Sequence, residues 1–204
     1  MRYQICVSGA ASGETVKESH DKAYAIGREI AKSGHTLTTG ATVGLPLFAA
    51  MGFKSVRGAK GVSAGFSPAS SLREHVEVYR LPTVEFDYIN FTGMAYVGRD
   101  VHLVRSSDAV ITVGGRMGSL HEFSTALESH KVCGVLLESG GLADYIEELL
   151  NNIWAPNTDN IVYDKDPAKL VNKVIKKLNE SYKDFKFNDE IGDALVSPKR
   201  YGGG

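Results

Sequence analysis

The stretch from Asp108 to Phe123 constrains the fold of this chain more than any other. Ala109–Val113 is a short, β-branched apolar run of the kind buried in a parallel sheet. Gly114, Gly115 and Gly118 follow, and they let the backbone turn sharply and approach a ligand with no Cβ in the way. Ser119 to His130 then carries Leu120, Phe123 and Leu127 on one helical face. A strand, a glycine turn and a helix start in that order favour a bound phosphate or carboxylate, because the free N–H groups and dipole of the helix's first turn point back at the turn. A local alternative makes Ser119 the helix cap and Glu122 its capping-box partner. Residues 119, 122 and 126 share a face, so a Glu122 turned away from the cap stands beside the anion.

The rest of the chain alternates strand and helix in the same way. Tyr3–Ser8 reads as a strand, and its small-residue turn places Gly9, Ser12 and Gly13 where a backbone approaches a phosphate or ribose. A helix with Ala23, Ile26, Gly27, Ile30 and Ala31 inward closes at Ser33-Gly34. Thr36–Thr39 is the second strand; Gly40 and Gly44 turn it into a helix that runs through Val56. Gly61–Phe66 is the third strand. Residues 69–83 lack periodicity and form a lid or wall, and 84–91 either continues it or makes a short strand whose Tyr88 and Phe91 stack on a base or bury area. A helix from Thr92-Gly93 to about Ser107 directs Val97, Val101 and Val104 inward and leaves Arg99 off that stripe, beside a phosphate or Glu122, or solvated. Val132–Leu137 is a strand, Gly140-Gly141 a turn, and Leu142, Tyr145, Ile146 and Leu149 the inner face of a helix. After a short strand at Ile161–Tyr163, Asp166-Pro167 opens a last helix to Ser181 with Leu170, Val174, Ile175 and Leu178 inward.

This pattern predicts an α/β fold, a doubly wound and mostly parallel sheet with helices on both faces, with the turns at 9–13, 40–44 and 114–118 on its carboxyl edge. Residues 1–181 make one nucleotide-binding domain, and 182–204 a polar arm that is partly disordered.

Gly114-Gly-Arg-Met-Gly-Ser-Leu-His-Glu122 resembles the Pro-Gly-Gly-x-Gly-Thr-x-x-Glu signature of the Lonely Guy, or "lysine decarboxylase-like", nucleoside-monophosphate phosphoribohydrolases and their Rossmann-like superfamily. Ser119 stands for the threonine, Gly114 for the proline and Arg116 for a glycine. The turn at Thr39–Pro46 is similar to a second family turn. Arg99 takes the place of the family's catalytic arginine, but Asp100 follows it where the family has lysine. The resemblance implies a Rossmann-like fold, a homodimer and an AMP-like ligand held by Gly9, Ser12, Gly13, Gly40, Gly44, Gly114, Gly115, Arg116, Gly118 and Ser119. In the hydrolase reading Glu122 is the catalytic carboxylate, Arg99 orients it, and the N-glycosidic bond of a nucleoside 5′-monophosphate is cleaved to base and ribose 5-phosphate without a further cofactor. The alternative is a carrier or sensor of a nucleotide or of molybdenum cofactor, and Asp100 and Arg116 favour it. His121 points to another helical face and is a bystander.

Composition removes other classes. Across 204 residues, 23 basic and 24 acidic side chains leave a net charge of −1, so no broad footprint for nucleic acid or an anionic membrane exists. The expected partner is a small-molecule nucleotide. No His/Cys/carboxylate cluster has metal-ligand spacing, and no Gly-x-Ser-x-Gly marks a serine nucleophile. Cys6 and Cys133 fall in buried strands without a Cys-x-x-Cys pattern and read as core thiols of a reducing compartment. With no signal-type or membrane-spanning run, the expected location is the cytoplasm.

Overall fold

The structure, a computed structural model, describes residues 1–184. The elements are β1 (Gln4–Gly9), α1 (Glu14–Lys32), β2 (Thr36–Thr39), α2 (Leu45–Lys54), β3 (Ser63–Ser67), α3 (Leu72–Glu77), β4 (Tyr88–Phe91), α4 (Ala95–Arg105), β5 (Ala109–Val113), α5 (Met117–Glu128), β6 (Val132–Leu136), α6 (Ile146–Asn152), β7 (Ile161–Asp164) and α7 (Pro167–Ser181). They build a seven-stranded sheet in the order β4-β3-β2-β1-β5-β6-β7, with every neighbouring pair parallel. This is the expected Rossmann-like α/β fold. Strand order reverses between β1 and β5, and the crevice beyond the carboxyl ends of those strands is where such sheets bind ligands.

Two cores flank the sheet because successive strand residues point to opposite faces. Ile5 and Val7 of β1 join Leu37, Ile111 and Val113 under α1, α2 and α7. Cys6, Val110, Cys133 and Val135 lie on the other side, against Leu103 and Val104 of α4 and Phe123, Ala126 and Leu127 of α5. By the same alternation Ser8, two residues after Cys6, faces α5. Both cysteines are free and buried, and burial pushes the Cys133 thiol up to about 12.

Four expectations need correction. The aperiodic 69–83 segment contains α3, capped by the Ser71 hydroxyl, which accepts from Glu74 N–H. On α4, Val97 is 70% exposed and Val101 37%, while Arg99, Asp100, Leu103 and Val104 are buried. The stripe is thus turned by about one residue, since 100, 103, 104 and 107 also satisfy helical spacing and the polar pair finds partners inside. The expected helix over 142–149 divides into a 3-10 turn (Gly141–Asp144) and α6, which leaves Tyr145 exposed. Finally, α5 begins at Met117 instead of Ser119. The start of the expected arm is docked: the Tyr182 hydroxyl donates to Asp108 Oδ1 at 2.8 Å and its ring packs against Tyr3. From residue 185 onward the arm lies outside the described residues.

Helices α1 and α2 approach so closely that their backbones nearly touch. A Cβ on Gly27 would stand 1.8 Å from the Ala49 carbonyl oxygen, and one on Gly52 1.9 Å from that of Tyr24. Helix propensity alone makes Gly→Ala stabilising by about 1 kcal/mol. Overpacking against backbone costs about 1–3 kcal/mol or more and dominates here. Gly27→Ala is therefore expected to lower the denaturation midpoint; urea titration of the wild type and the variant checks the sign.

Candidate functional site

The helix that starts α5 supplies the anion-binding end of the crevice. Its cap position, Arg116, makes no side-chain capping bond, and the N–H groups of Met117, Gly118 and Ser119 have no helical acceptor. The capping box of Ser119 with Glu122 is overturned: Ser119 sits inside the first turn, and the Glu122 carboxylate accepts a hydrogen bond from the Ser8 hydroxyl. Helix α2 is a poorer anion donor despite its uncapped start, because Leu45 N–H already donates to the Ala10 carbonyl at 2.9 Å and Pro46 has no N–H.

The glycine turn is fixed from below. Gly114 N–H donates to Ser139 Oγ at 2.7 Å, and the Gly114 and Gly115 carbonyls accept from Ala143 and Leu142 N–H at 2.9 and 3.0 Å. With φ of 56° and 100°, these two positions are in the left-handed region where glycine is preferred. A Cβ on Gly118, by contrast, would meet nothing within 4 Å, so this position opens on the crevice.

A cavity of about 210 Å³ lies above this turn, lined by Gly9, Gly40, Arg99, Asp100, Arg116, Gly118, Ser119 and Glu122 among others. Of the residues expected from sequence, Gly9, Gly40, Arg99, Arg116, Gly118, Ser119 and Glu122 meet in its wall. Ser12 is reached through Arg116, whose Nη2 donates to Ser12 Oγ at 2.8 Å and so spans the two turns; Gly13 lies beside that bridge. Gly44, Gly114 and Gly115 do not line the cavity. Gly44 packs against the backbone of Ala10 and Ala11, where a Cβ would come within 2.4 Å.

The opposite wall holds a charged cluster. Arg99 is 5% exposed; its Nη1 donates to the Gly40 carbonyl and, at 3.1 Å, to that of Phe66. Its Nε stands 3.0 Å from Asp100 Oδ1, an ion pair without hydrogen-bond alignment, and the guanidinium carbon lies 5.8 Å from the Tyr96 ring centre. Gly40 is what admits this arginine, since a Cβ there would fall 1.8 Å from Nη1. Arg99 is therefore not solvated. His121 is no bystander either: its Nδ1 lies 3.1 Å from Asp100 Oδ2. The sequence marked Asp100 only as a departure from the family pattern and His121 only as a bystander, and Ser8 and Tyr96 had no motif to mark them. Ser8 alone carried a usable signal, its position at the last turn of a buried strand.

Burial and the adjacent Asp100 carboxyl push Glu122 up to about 7, against the downward pull of Arg99 and the Ser8 hydroxyl. An acid raised from 4.5 to about 7 on folding favours the native state below its unfolded value, and that advantage is lost as pH rises through 7. The loss amounts to roughly 3 kcal/mol. Glu122→Gln is therefore expected to flatten the fall in stability between pH 5 and 8, and denaturant titrations across that range check it.

With this geometry in hand, comparison with known proteins places the chain. The SLOG cluster4 family model matches residues 2–171. The chain belongs to that family. An uncharacterised protein of Archaeoglobus fulgidus is 35% identical over 128 residues, which are 63% of this chain and 76% of the relative. Among solved structures, the protein designated TM1055 superposes with a TM-score of 0.72 at 21% identity, covering 87% of this chain and 99% of its own. The molybdenum cofactor binding protein of Rippkaea orientalis gives 0.67 at 26% identity, covering 87% and 98%. SLOG cluster4 thus joins this chain to Rossmann-like proteins of Lonely Guy type, one of which binds molybdenum cofactor.

Proposed function

We propose that the protein binds a phosphate-bearing heterocyclic ligand, a nucleotide or a nucleotide-like cofactor, and acts as a carrier or sensor of it. The observation that carries this reading is the pairing of the unsatisfied α5 N–H groups with the Arg116 guanidinium at one cavity. The ligand's phosphate would lie on the 117–119 turn, with Arg116 closing over it. Arg99 is committed to two carbonyls and Asp100, which fits a wall better than a mobile catalytic cation. If the ligand is molybdenum cofactor, as for the Rippkaea protein, it is cargo here. Among the described residues no His/Cys/Asp/Glu group is suited to hold a metal ion, so the protein would grip the cargo's phosphate and ring system.

One observation favours a hydrolase as the second reading. Glu122 is a buried carboxyl in the cavity wall beside a second carboxyl, an arrangement able to serve a ribosyl cation and an attacking water. Calorimetry with AMP and other mononucleotides, run beside an assay for ribose 5-phosphate, separates the two. AMP is expected to bind and remain intact, with Arg116→Ala weakening binding about tenfold through the lost charge-assisted bond. Base release by the wild type that vanishes in Glu122→Gln would transfer the assignment to the hydrolase, and the absence of binding by any mononucleotide at millimolar concentration would remove both.

We also propose that the protein is a homodimer through the α4–β4 side. Val84, Tyr88, Met94, Tyr96 and Val97 are exposed together along this stretch, with β4 at the sheet edge. The cavity is smaller than the roughly 300 Å³ of enclosed ligand pockets, so a nucleotide would project from it past Tyr96, towards this face. Light scattering at micromolar concentration is expected to give twice the chain mass, and Val97→Glu to give a monomer.

A further inference from the structure

The turn after β2 carries two threonines, and they differ in what their hydroxyl groups do. Ala41 takes a φ of 51°, a left-handed backbone on a residue that has a Cβ, and its N–H donates to the Thr39 hydroxyl oxygen at 3.2 Å. That Cβ is packed so tightly against β3 that one added to Gly65 would stand 2.8 Å from it. Thr42 comes next and lines the cavity. It is 8% exposed, yet its hydroxyl has no hydrogen-bond partner among the described residues. A threonine this close to a helix start often bonds to nearby backbone. The start of α2 is satisfied without it, since Leu45 N–H donates to the Ala10 carbonyl and Phe48 N–H to that of Gly44. Polar groups this buried are normally hydrogen-bonded, and the cavity is the side from which a partner can reach Thr42.

The surroundings of Thr42 set what it would meet. Because β1 lies between β2 and β5, the two turns stand two strand spacings apart, about 10 Å. That is within the reach of a nucleoside monophosphate from its phosphate to the far edge of its base. The Gly40 carbonyl ties the β2 turn to Arg99, and the Tyr96 ring centre lies 5.8 Å from the Arg99 guanidinium carbon. Tyr96 is itself steadied by Tyr79, in a T-shaped contact with ring centres 5.5 Å apart, and Pro46 adds apolar surface to the wall. An apolar and aromatic end with a buried hydroxyl to satisfy suits a flat heterocycle, which buries area on the rings and offers a polar edge.

We propose that Thr42 is a specificity-determining residue of the cavity, its hydroxyl bonding to a polar atom of the ligand's heterocycle at the end remote from the phosphate. This rests on the ligand-binding reading and adds to it the group that recognises the ring. A hydroxyl both donates and accepts, so Thr42 takes an amino or a carbonyl edge alike. A ring with no polar atom at that edge leaves the hydroxyl buried and unpaired, and is rejected for that reason.

The test compares wild type, Thr42→Val and Thr42→Ser, with AMP as the probe, by calorimetry and by the ³¹P resonance of bound AMP; melting curves check that each variant folds. Valine keeps the shape and removes the hydroxyl, so Thr42→Val is expected to bind AMP about fivefold to tenfold more weakly. Thr42→Ser keeps the hydroxyl and is expected to stay within about twofold of wild type. The bound ³¹P resonance is expected to be unchanged in both variants and to move in Arg116→Ala, since only Arg116 reaches the phosphate. Wild-type affinity in Thr42→Val overturns the assignment, as does an equal loss in the valine and serine variants, which would make Thr42 a packing residue. A ³¹P resonance that moves in Thr42→Val overturns it too, because the hydroxyl would then serve the phosphate end. Each of these leaves the ligand-binding reading standing, whereas failure of AMP to bind the wild type removes that reading and this one with it.

Discussion

The buried guanidinium of Arg99 is the interaction on which the rest of the crevice depends. A full charge at this depth costs several kcal/mol unless it is paired and hydrogen-bonded. Here the carbonyls of Gly40 and Phe66, the carboxylate of Asp100 and the ring of Tyr96 all turn towards it. Those partners come from the ends of β2 and β3 and from α4. Holding them together sets the distance between the sheet's carboxyl edge and the helix that covers it, and that distance is one wall of the cavity. Gly40 has to be glycine because the guanidinium takes the space of its missing side chain.

From this wall the opposite one follows. Glu122 is held in its buried place by the Ser8 hydroxyl, with the Arg99 charge opposing the cost of burying it, and Asp100 is in turn held by Arg99 and His121. The charges form one connected set, so changing any member alters the others' environment more than isolated surface pairs would. The glycines divide by task. Gly9, Gly40 and Gly44 permit close packing of backbone and side chain, Gly114 and Gly115 permit the turn, and Gly118 leaves space over the α5 N–H groups. In the proposed function only the last presents itself to ligand without hindrance.

The strands, most of the helices and their alternation were legible in the chain, because the apolar runs have the periods of strand and helix and because Gly and Pro punctuate them. The glycine turn after β5 was legible for the same local reason, and so was the end of β1 as an approach point. What periodicity left ambiguous was the rotation of α4. Its valines and its Leu103–Val104 pair both satisfy a 3.6-residue repeat, and the helix settles with Arg99 and Asp100 inward.

Sequence by itself determined the doubly wound sheet and the anion-favouring turn, since both arise from contacts and dihedral preferences within about twenty residues of chain. Tertiary structure alone decided which side chains meet Glu122. Ser8 is 114 residues away from it in sequence, and Asp100 and His121 are 21 apart from each other. The capping box, the solvated Arg99 and the bystander His121 were all plausible locally. They gave way because burying one charge requires partners from several elements, and only the folded sheet brings those elements together.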